Sequence, residues 1–158
     1  MTSRGGRLIG MAAALYGGMV ALALTWGWLR DLAGGWWRFD GPRHVGEVAI
    51  VGILLGLVAI ILSWELEKAV DGVRSLSQRF ATLLAGTTVL EAIALAGLSS
   101  VGEELLFRGC LQPELGVLPA TALFAVVHTG PERIYLWWMA SAFVFGLGLA
   151  WLFEAQGG

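Results

Sequence analysis

Two adjacent carboxylates and a guanidinium, those of Glu103, Glu104 and Arg108, stand in otherwise apolar sequence. Removing an isolated charged side chain from water is costly, so ionisable residues in a membrane segment indicate a functional site. Glu104 and Arg108 are four residues apart, acid before base, which favours an ion pair on a helix. Glu103 points about 100° away around that helix and stays free for chemistry. The alternative is that all three residues mark a helix end wetted by lipid headgroups.

The composition places these residues in an integral membrane protein. Of the 158 residues, 57% are hydrophobic and 14% are charged, against roughly 25% charged residues in soluble domains. The net charge of −2 supplies no basic field for nucleic acid, so we exclude nucleic-acid binding. The single cysteine, Cys110, has no second cysteine or nearby histidine as a partner for a disulfide or a metal site. We interpret it as a small packing residue.

The apolar runs predict an all-α fold, a polytopic transmembrane helical bundle with about five spans in a single membrane domain over residues 1–158. The expected helices cover residues 8–29, 45–64, 80–109, 120–128 and 134–153, of which 120–128 is short and buried. Polar residues over 65–79, with apolar residues at helical spacing, predict an interfacial amphipathic helix. The tryptophan-rich and arginine-rich stretch 25–44 predicts a loop on the membrane surface, with His44 solvated in it.

Three further residues in apolar segments could take part in chemistry. Phe124 and His128 are four residues apart and share a helix face. A lone histidine on an apolar helix is more often a core residue than a catalytic one, so His128 alone decides nothing. Glu91 precedes Glu103 by about three helical turns. It is either a relay or pocket residue, or a protonated acid hydrogen-bonded inside the bundle, and we favour the second interpretation.

The motif Glu103-Glu104-x-x-x-Arg108, with Phe124-x-x-x-His128 further along the chain, resembles the paired signature of the CPBP intramembrane proteases. This family includes the type II CAAX prenyl endopeptidases and bacterial relatives linked to bacteriocin processing or immunity. The resemblance covers about residues 91–158, and we take residues 80–158 as a partial protease core.

The resemblance implies an intramembrane endopeptidase of the bacterial inner membrane, which acts on a peptide or protein substrate among membrane lipids. Glu103 and His128 would be catalytic and activate water, with Glu104, Arg108 and Phe124 as supporting residues. The family has been described as metalloproteases, and a metal-free glutamate mechanism has also been argued. The cofactor therefore stays open between a divalent metal such as zinc, held by Glu103 and His128, and no metal.

The sequence also departs from the family pattern. Family members carry a third motif, a histidine followed four residues on by Asn or Asp, whereas this sequence has only His44 and His128. We expect that the chain is truncated before that motif and that these residues alone are inactive. One alternative is a non-catalytic membrane binding or bacteriocin-immunity protein of the same fold. Another is a small proton-coupled transporter with Glu91 and Glu103 as a relay, although such a protein would spread its ionisable residues over several helices.

Overall fold

The computed structural model describes residues 4–32 and 42–155, and these residues form helices and turns without a strand. In chain order the elements are α1 (Arg4–Leu29), α2 (Pro42–Ala69), α3 (Asp71–Leu83), α4 (Val89–Glu103), a π-helix (Glu104–Leu111), α5 (Gln112–Leu115), α6 (Val117–Val127) and α7 (Tyr135–Ala155). The predicted all-α membrane bundle is confirmed.

Three helices of the described residues, α1, α2 and α7, are long and apolar enough to cross a membrane. α4, the π-helix and α5 follow one another without a break and carry the ionisable motif. α6 has 11 residues, and at about 1.5 Å per residue it is too short to cross a hydrocarbon core of about 30 Å. It is a short apolar helix, as expected for residues 120–128, and is not among the candidate membrane spans.

The predicted continuous helix over residues 80–109 is wrong, because the chain leaves α3 after Leu83 and restarts in α4. Gly86 has a φ of 83°, a left-handed conformation that glycine adopts without steric cost. α4 then begins with a capping box, in which the Thr88 hydroxyl accepts from the Glu91 backbone N–H and the Glu91 carboxylate accepts from the Thr88 backbone N–H. Glu91 is therefore a helix cap, and neither the relay nor the interior acid that the sequence suggested.

The amphipathic helix predicted over residues 65–79 is present as α3, with shifted bounds. α2 continues through the polar residues to Ala69, and Val70 has an extended conformation that separates the two helices. The central part of the surface loop predicted over residues 25–44, from 33 to 41, lies outside the described residues. At its two ends α1 continues to Leu29 and α2 already begins at Pro42, so the backbone of His44 is helical and not in a loop.

Small residues let two pairs of helices approach closely. Gly102 of α4 lies against Tyr16 of α1, and a Cβ at Gly102 would be 3.1 Å from the Cβ and the carbonyl oxygen of Tyr16. Gly146 of α7 lies against the Phe124 ring of α6, where a Cβ would be 3.0 Å from a ring carbon. Such positions allow backbones to pack closely in membrane bundles. α2 packs mainly against α3 and buries no side chain over residues 46–69.

An ion pair outside the membrane-spanning segments joins the end of α1 to α5. Arg30 Nε and Nη2 donate hydrogen bonds of 2.6 and 2.9 Å to the two carboxylate oxygens of Glu114. These hydrogen bonds from Arg30 hold the pKa of Glu114 below its ordinary value of 4.5. Since the folded-state pKa is lowered, the pair stabilises the fold at pH values above 4.5. That stabilisation is lost as the pH falls through the lower, folded-state value.

We expect Glu114→Gln to lower the thermal denaturation midpoint in detergent slightly at neutral pH, because exposed ion pairs contribute little. The difference from the wild-type protein should shrink as the pH falls below 4.5 and as salt is added, since salt screens exposed charges. Midpoints measured over a pH series at low and high salt check this. A difference that is the same at neutral and acid pH would contradict the assignment.

Candidate active site

The candidate catalytic residues lie where helices change or end. Glu103 is the last residue of α4 and Glu104 is the first residue of the π-helix. π-helical turns are rare and are found frequently at functional sites. His128 is the C-cap residue of α6 and follows its last helical residue directly. The side chains of Glu103 and His128 are thus placed by two helix termini that meet in the bundle.

The carboxylate of Glu103 and the imidazole of His128 face each other across that junction. His128 Nε2 lies 3.9 Å from Glu103 Oε2, and the two side chains are 14% and 19% exposed, respectively. The structure therefore brings together the two residues that the motif comparison assigns to water activation. Their separation is longer than a direct hydrogen bond, so they are close neighbours that do not bond to each other directly.

His128 is oriented through its other ring nitrogen. Nδ1 lies 2.6 Å from the backbone carbonyl oxygen of Phe124, and because a carbonyl can only accept, Nδ1 carries the proton and donates. That carbonyl belongs to the last turn of α6, where helix carbonyls lack intrahelical partners. In the neutral imidazole Nε2 then keeps its lone pair. The nitrogen that faces Glu103 can therefore accept a proton or a hydrogen bond.

Two aromatic rings hold the imidazole between them. The Phe124 ring centroid is 4.3 Å from that of His128, and the Trp138 ring centroid is 5.1 Å away at an interplanar angle of 81°. Phe124 is itself buried and packs edge to face against Phe107 at 5.1 Å. Aromatic pairs of this kind add about 0.5–1.5 kcal/mol each beyond the area that they bury. The predicted supporting residue Phe124 therefore contributes both its backbone carbonyl and its ring.

His128 and Trp138 also line an open groove of about 590 Å³ between α2, α3, α6 and α7. Its lining is mostly apolar and includes three serines, Ser63, Ser77 and Ser141. This volume is in the range of ordinary small-molecule sites, about 300–1,000 Å³. Glu103 is not among the lining residues, so the imidazole lies between the groove and the Glu103 carboxylate.

Glu104 and Arg108 form the ion pair that their spacing predicts, at 3.4 Å between Oε1 and Nη1. Arg108 is 3% exposed and Glu104 is 42% exposed. Among the described residues Nη1 makes no hydrogen bond, so the pair is an electrostatic contact. Nη2 donates to the Gly146 carbonyl at 3.2 Å, and the guanidinium carbon lies 4.3 Å from the Phe124 ring centre. Arg108 therefore ties the π-helix to α6 and α7.

The described residues do not complete a zinc site. Within residues 4–32 and 42–155 no group of three His, Cys, Asp or Glu residues could hold a metal ion. Glu103 and His128 supply two donors, whereas a catalytic zinc usually has three protein ligands. Cys110 is buried, and its thiol donates to the Ala23 carbonyl at 3.4 Å, in agreement with a packing role. We therefore assign no catalytic step to a metal.

Comparison with known protein families gives a match over residues 85–158 to the family described as type II CAAX prenyl endopeptidase Rce1-like. Residues 85–158 are therefore similar to this Rce1-like family, and they make up somewhat less than half of the chain. The resemblance drawn from the two motifs is thereby confirmed. The Rce1-like segment begins in the turn before α4 and contains both motifs, whereas α1, α2 and α3 lie outside it. No curated protein and no solved structure matches the chain.

Two aromatic residues belong to the site although the sequence did not point to them. Trp138 of the Rce1-like segment packs on His128, and the side chain of Tyr16 in α1 interacts with the Glu103 carboxylate. The Tyr16 contact joins helices that are distant in sequence, and the Trp138 contact joins two successive helices, so no spacing within one helix marks either of them. Gly102 could have indicated that a second helix packs next to Glu103, because a glycine in an apolar membrane helix favours close approach of another helix.

Proposed function

We propose that the chain is an intramembrane endopeptidase in which Glu103 and His128 activate a water molecule to hydrolyse a peptide bond. The observation that carries this proposal is the separation of 3.9 Å between Glu103 Oε2 and His128 Nε2, with both side chains largely withdrawn from the surface. A water about 2.8 Å from each atom fits this separation, with an angle of roughly 90° between its two contacts. The Rce1-like match supports the same reaction class.

In the proposed reaction Glu103 is the general base and His128 orients the water. The water gives one proton to the Glu103 carboxylate while its oxygen bonds to the carbonyl carbon of the substrate. His128 Nε2 accepts a hydrogen bond from the remaining O–H, since its lone pair faces this space. The proton on Glu103 then passes to the amide nitrogen as the C–N bond breaks, which restores the carboxylate and releases an acid and an amine.

The family description names CAAX prenyl endopeptidases, and we extend a lipid-anchored peptide substrate in the bacterial inner membrane to this chain. The groove supports this choice, because it is mostly apolar and reaches His128. A substrate that carries an apolar chain would bury that chain in the groove and present its peptide bond next to the imidazole. Burial of apolar surface favours such a complex by about 25 cal/mol per Å².

The test is a cleavage assay in liposomes with purified protein that is extended at its C-terminus by a helix carrying the family's third motif, because residues 1–158 alone are expected to be inactive. The probes are a fluorogenic peptide with a farnesylated C-terminal CAAX sequence and the same peptide without the farnesyl group. We expect cleavage of the prenylated peptide, identified by mass spectrometry, and a loss of about 10²-fold in His128→Ala, at the lower end of the range for acid–base catalysis. Failure of the wild-type protein to cleave either peptide faster than His128→Ala would overturn the proposal.

A further inference from the structure

We propose that Tyr16 of α1 is a positioning residue for Glu103, and that its hydroxyl donates a hydrogen bond which holds the carboxylate towards His128. The inference rests on the proposed hydrolytic function and deepens it. Tyr16 lies outside the Rce1-like segment, which begins at residue 85. The proposal gives α1 a part in the site, although α1 lies outside the residues that the family match covers.

The position of Tyr16 is fixed by helix packing. α1 packs along α4 and the π-helix, and Gly102 is buried in that interface. A Cβ at Gly102 would lie 3.1 Å from the Cβ and the carbonyl oxygen of Tyr16, and 3.2 Å from its Cδ1. The start of the tyrosine side chain therefore sits directly on the backbone that precedes Glu103. From there the Tyr16 side chain is close enough to the Glu103 carboxylate to interact with it electrostatically.

The polar groups near Tyr16 favour Glu103 as the acceptor for its hydroxyl. Tyr16 lines an apolar cavity of about 560 Å³ between α1, α4 and the end of α3, where the other polar lining residue is Ser99. The Ser99 hydroxyl donates to the Ala96 carbonyl at 3.0 Å. Tyr16 is half-buried, and a tyrosine hydroxyl withdrawn from water usually finds a polar partner, because leaving it without one costs free energy. Glu103 supplies that partner across the helix interface.

The other groups that face Glu103 do not fix its rotamer in the same way. His128 from the end of α6 presents a lone pair at Nε2 when neutral and then has no proton to donate there. Arg108 from the π-helix acts on Glu103 through its charge, but its described hydrogen bond goes to the Gly146 carbonyl. Glu104, the next residue, repels Glu103. A carboxylate accepts several hydrogen bonds, so the bond from Tyr16 leaves room for a water next to His128.

The first arm of the test uses the liposome cleavage assay. Tyr16→Phe removes the hydroxyl and keeps the ring on Gly102. We expect kcat to fall about tenfold with KM unchanged, since a hydrogen bond to a charged group is lost next to the reacting atoms. Tyr135→Phe, the same change at the other tyrosine of the chain, is the matched control and should leave both constants unchanged. An unchanged kcat in Tyr16→Phe would overturn the positioning role.

The second arm needs no turnover and tests the contact itself. Thermal midpoints in detergent are compared for Tyr16→Phe, Glu103→Ala and the double variant. If the hydroxyl binds the carboxylate, the double variant is destabilised by less than the two single changes together. Additive effects would overturn the proposal even in an active enzyme. Coupled effects in a wild-type protein that cleaves no peptide would sustain the contact and reject the proposed hydrolytic function.

Discussion

Replacing Glu103 by Gln should lower kcat for peptide cleavage by about 10³–10⁴-fold while the protein stays folded. The upper part of the range for acid–base catalysis applies because Glu103 is the group that takes the proton from water. Glutamine has nearly the same shape, and its amide oxygen can still accept from Tyr16, but it cannot take up that proton. Turnover in liposomes gives kcat. Circular dichroism and thermal midpoints of the same preparations show whether the protein is folded.

The matched control is Glu132→Gln, which makes the same chemical change in a surface carboxylate. Glu132 is 53% exposed and pairs with Arg79 at 2.6 Å. It has no role in the proposed reaction. This variant should keep wild-type turnover. Wild-type turnover in Glu103→Gln would reject Glu103 as the base, and a loss of similar size in both variants would show that the assay responds to removal of any carboxylate.

Replacing Arg108 by Ala should destabilise the fold by about 3 kcal/mol, the low end of the range of about 3–5 kcal/mol for breaking a buried ion pair. The low end applies because Glu104, which loses its partner, is 42% exposed. The change also removes the hydrogen bond to the Gly146 carbonyl and the contact with the Phe124 ring. Chemical denaturation in detergent micelles, monitored by helical circular dichroism, gives the free energy of unfolding.

Arg108→Lys separates the charge from the shape of the guanidinium. Lysine keeps a positive charge near Glu104 but cannot stack a planar group on Phe124 while donating to Gly146. We therefore expect a loss of stability between those of the wild-type protein and Arg108→Ala. Equal stability of all three proteins would mean that Arg108 does not tie the π-helix to α6 and α7.

The long helices could be predicted because each is a continuous apolar run of membrane length. The expected spans 8–29 and 134–153 correspond to Arg4–Leu29 and Tyr135–Ala155, with ends shifted by a few residues. At those ends polar and apolar residues both fit a helix, so composition gives no sharp boundary. The all-α membrane bundle thus follows from hydropathy alone.

The break between α3 and α4 could not be predicted in the same way. No proline marks it, and the polar residues Thr87 and Thr88 are tolerated inside an apolar helix. The break depends on Gly86 taking a left-handed conformation and on Thr88 and Glu91 capping the next helix. A single glycine in an apolar segment is an ambiguous signal, because it serves helix packing as often as helix termination.

The candidate site was predictable as far as its motif residues. Glu103 was found from residue type and spacing, and the resemblance to the CPBP proteases added His128. Their approach to 3.9 Å agrees with a joint role. Their packing partners Tyr16 and Trp138 lie on other helices, and which residues meet across an interface depends on how the helices rotate against each other. The π-helix could not be predicted either, since nothing in the residues from Glu104 to Leu111 departs from ordinary α-helical composition.

The π-helix also governs how the chain tolerates changes in length. A wide turn of this kind accommodates an extra residue within an otherwise α-helical segment. If the same residues closed into a regular α-helix, everything after them would turn by about 100°. Gln112, whose amide donates to the Ala150 carbonyl and the Glu154 carboxylate at 3.1 and 2.9 Å, would then face away from α7. Hydropathy would be unaltered by this change, yet the angular phase between the two motifs would be lost unless one residue were also deleted.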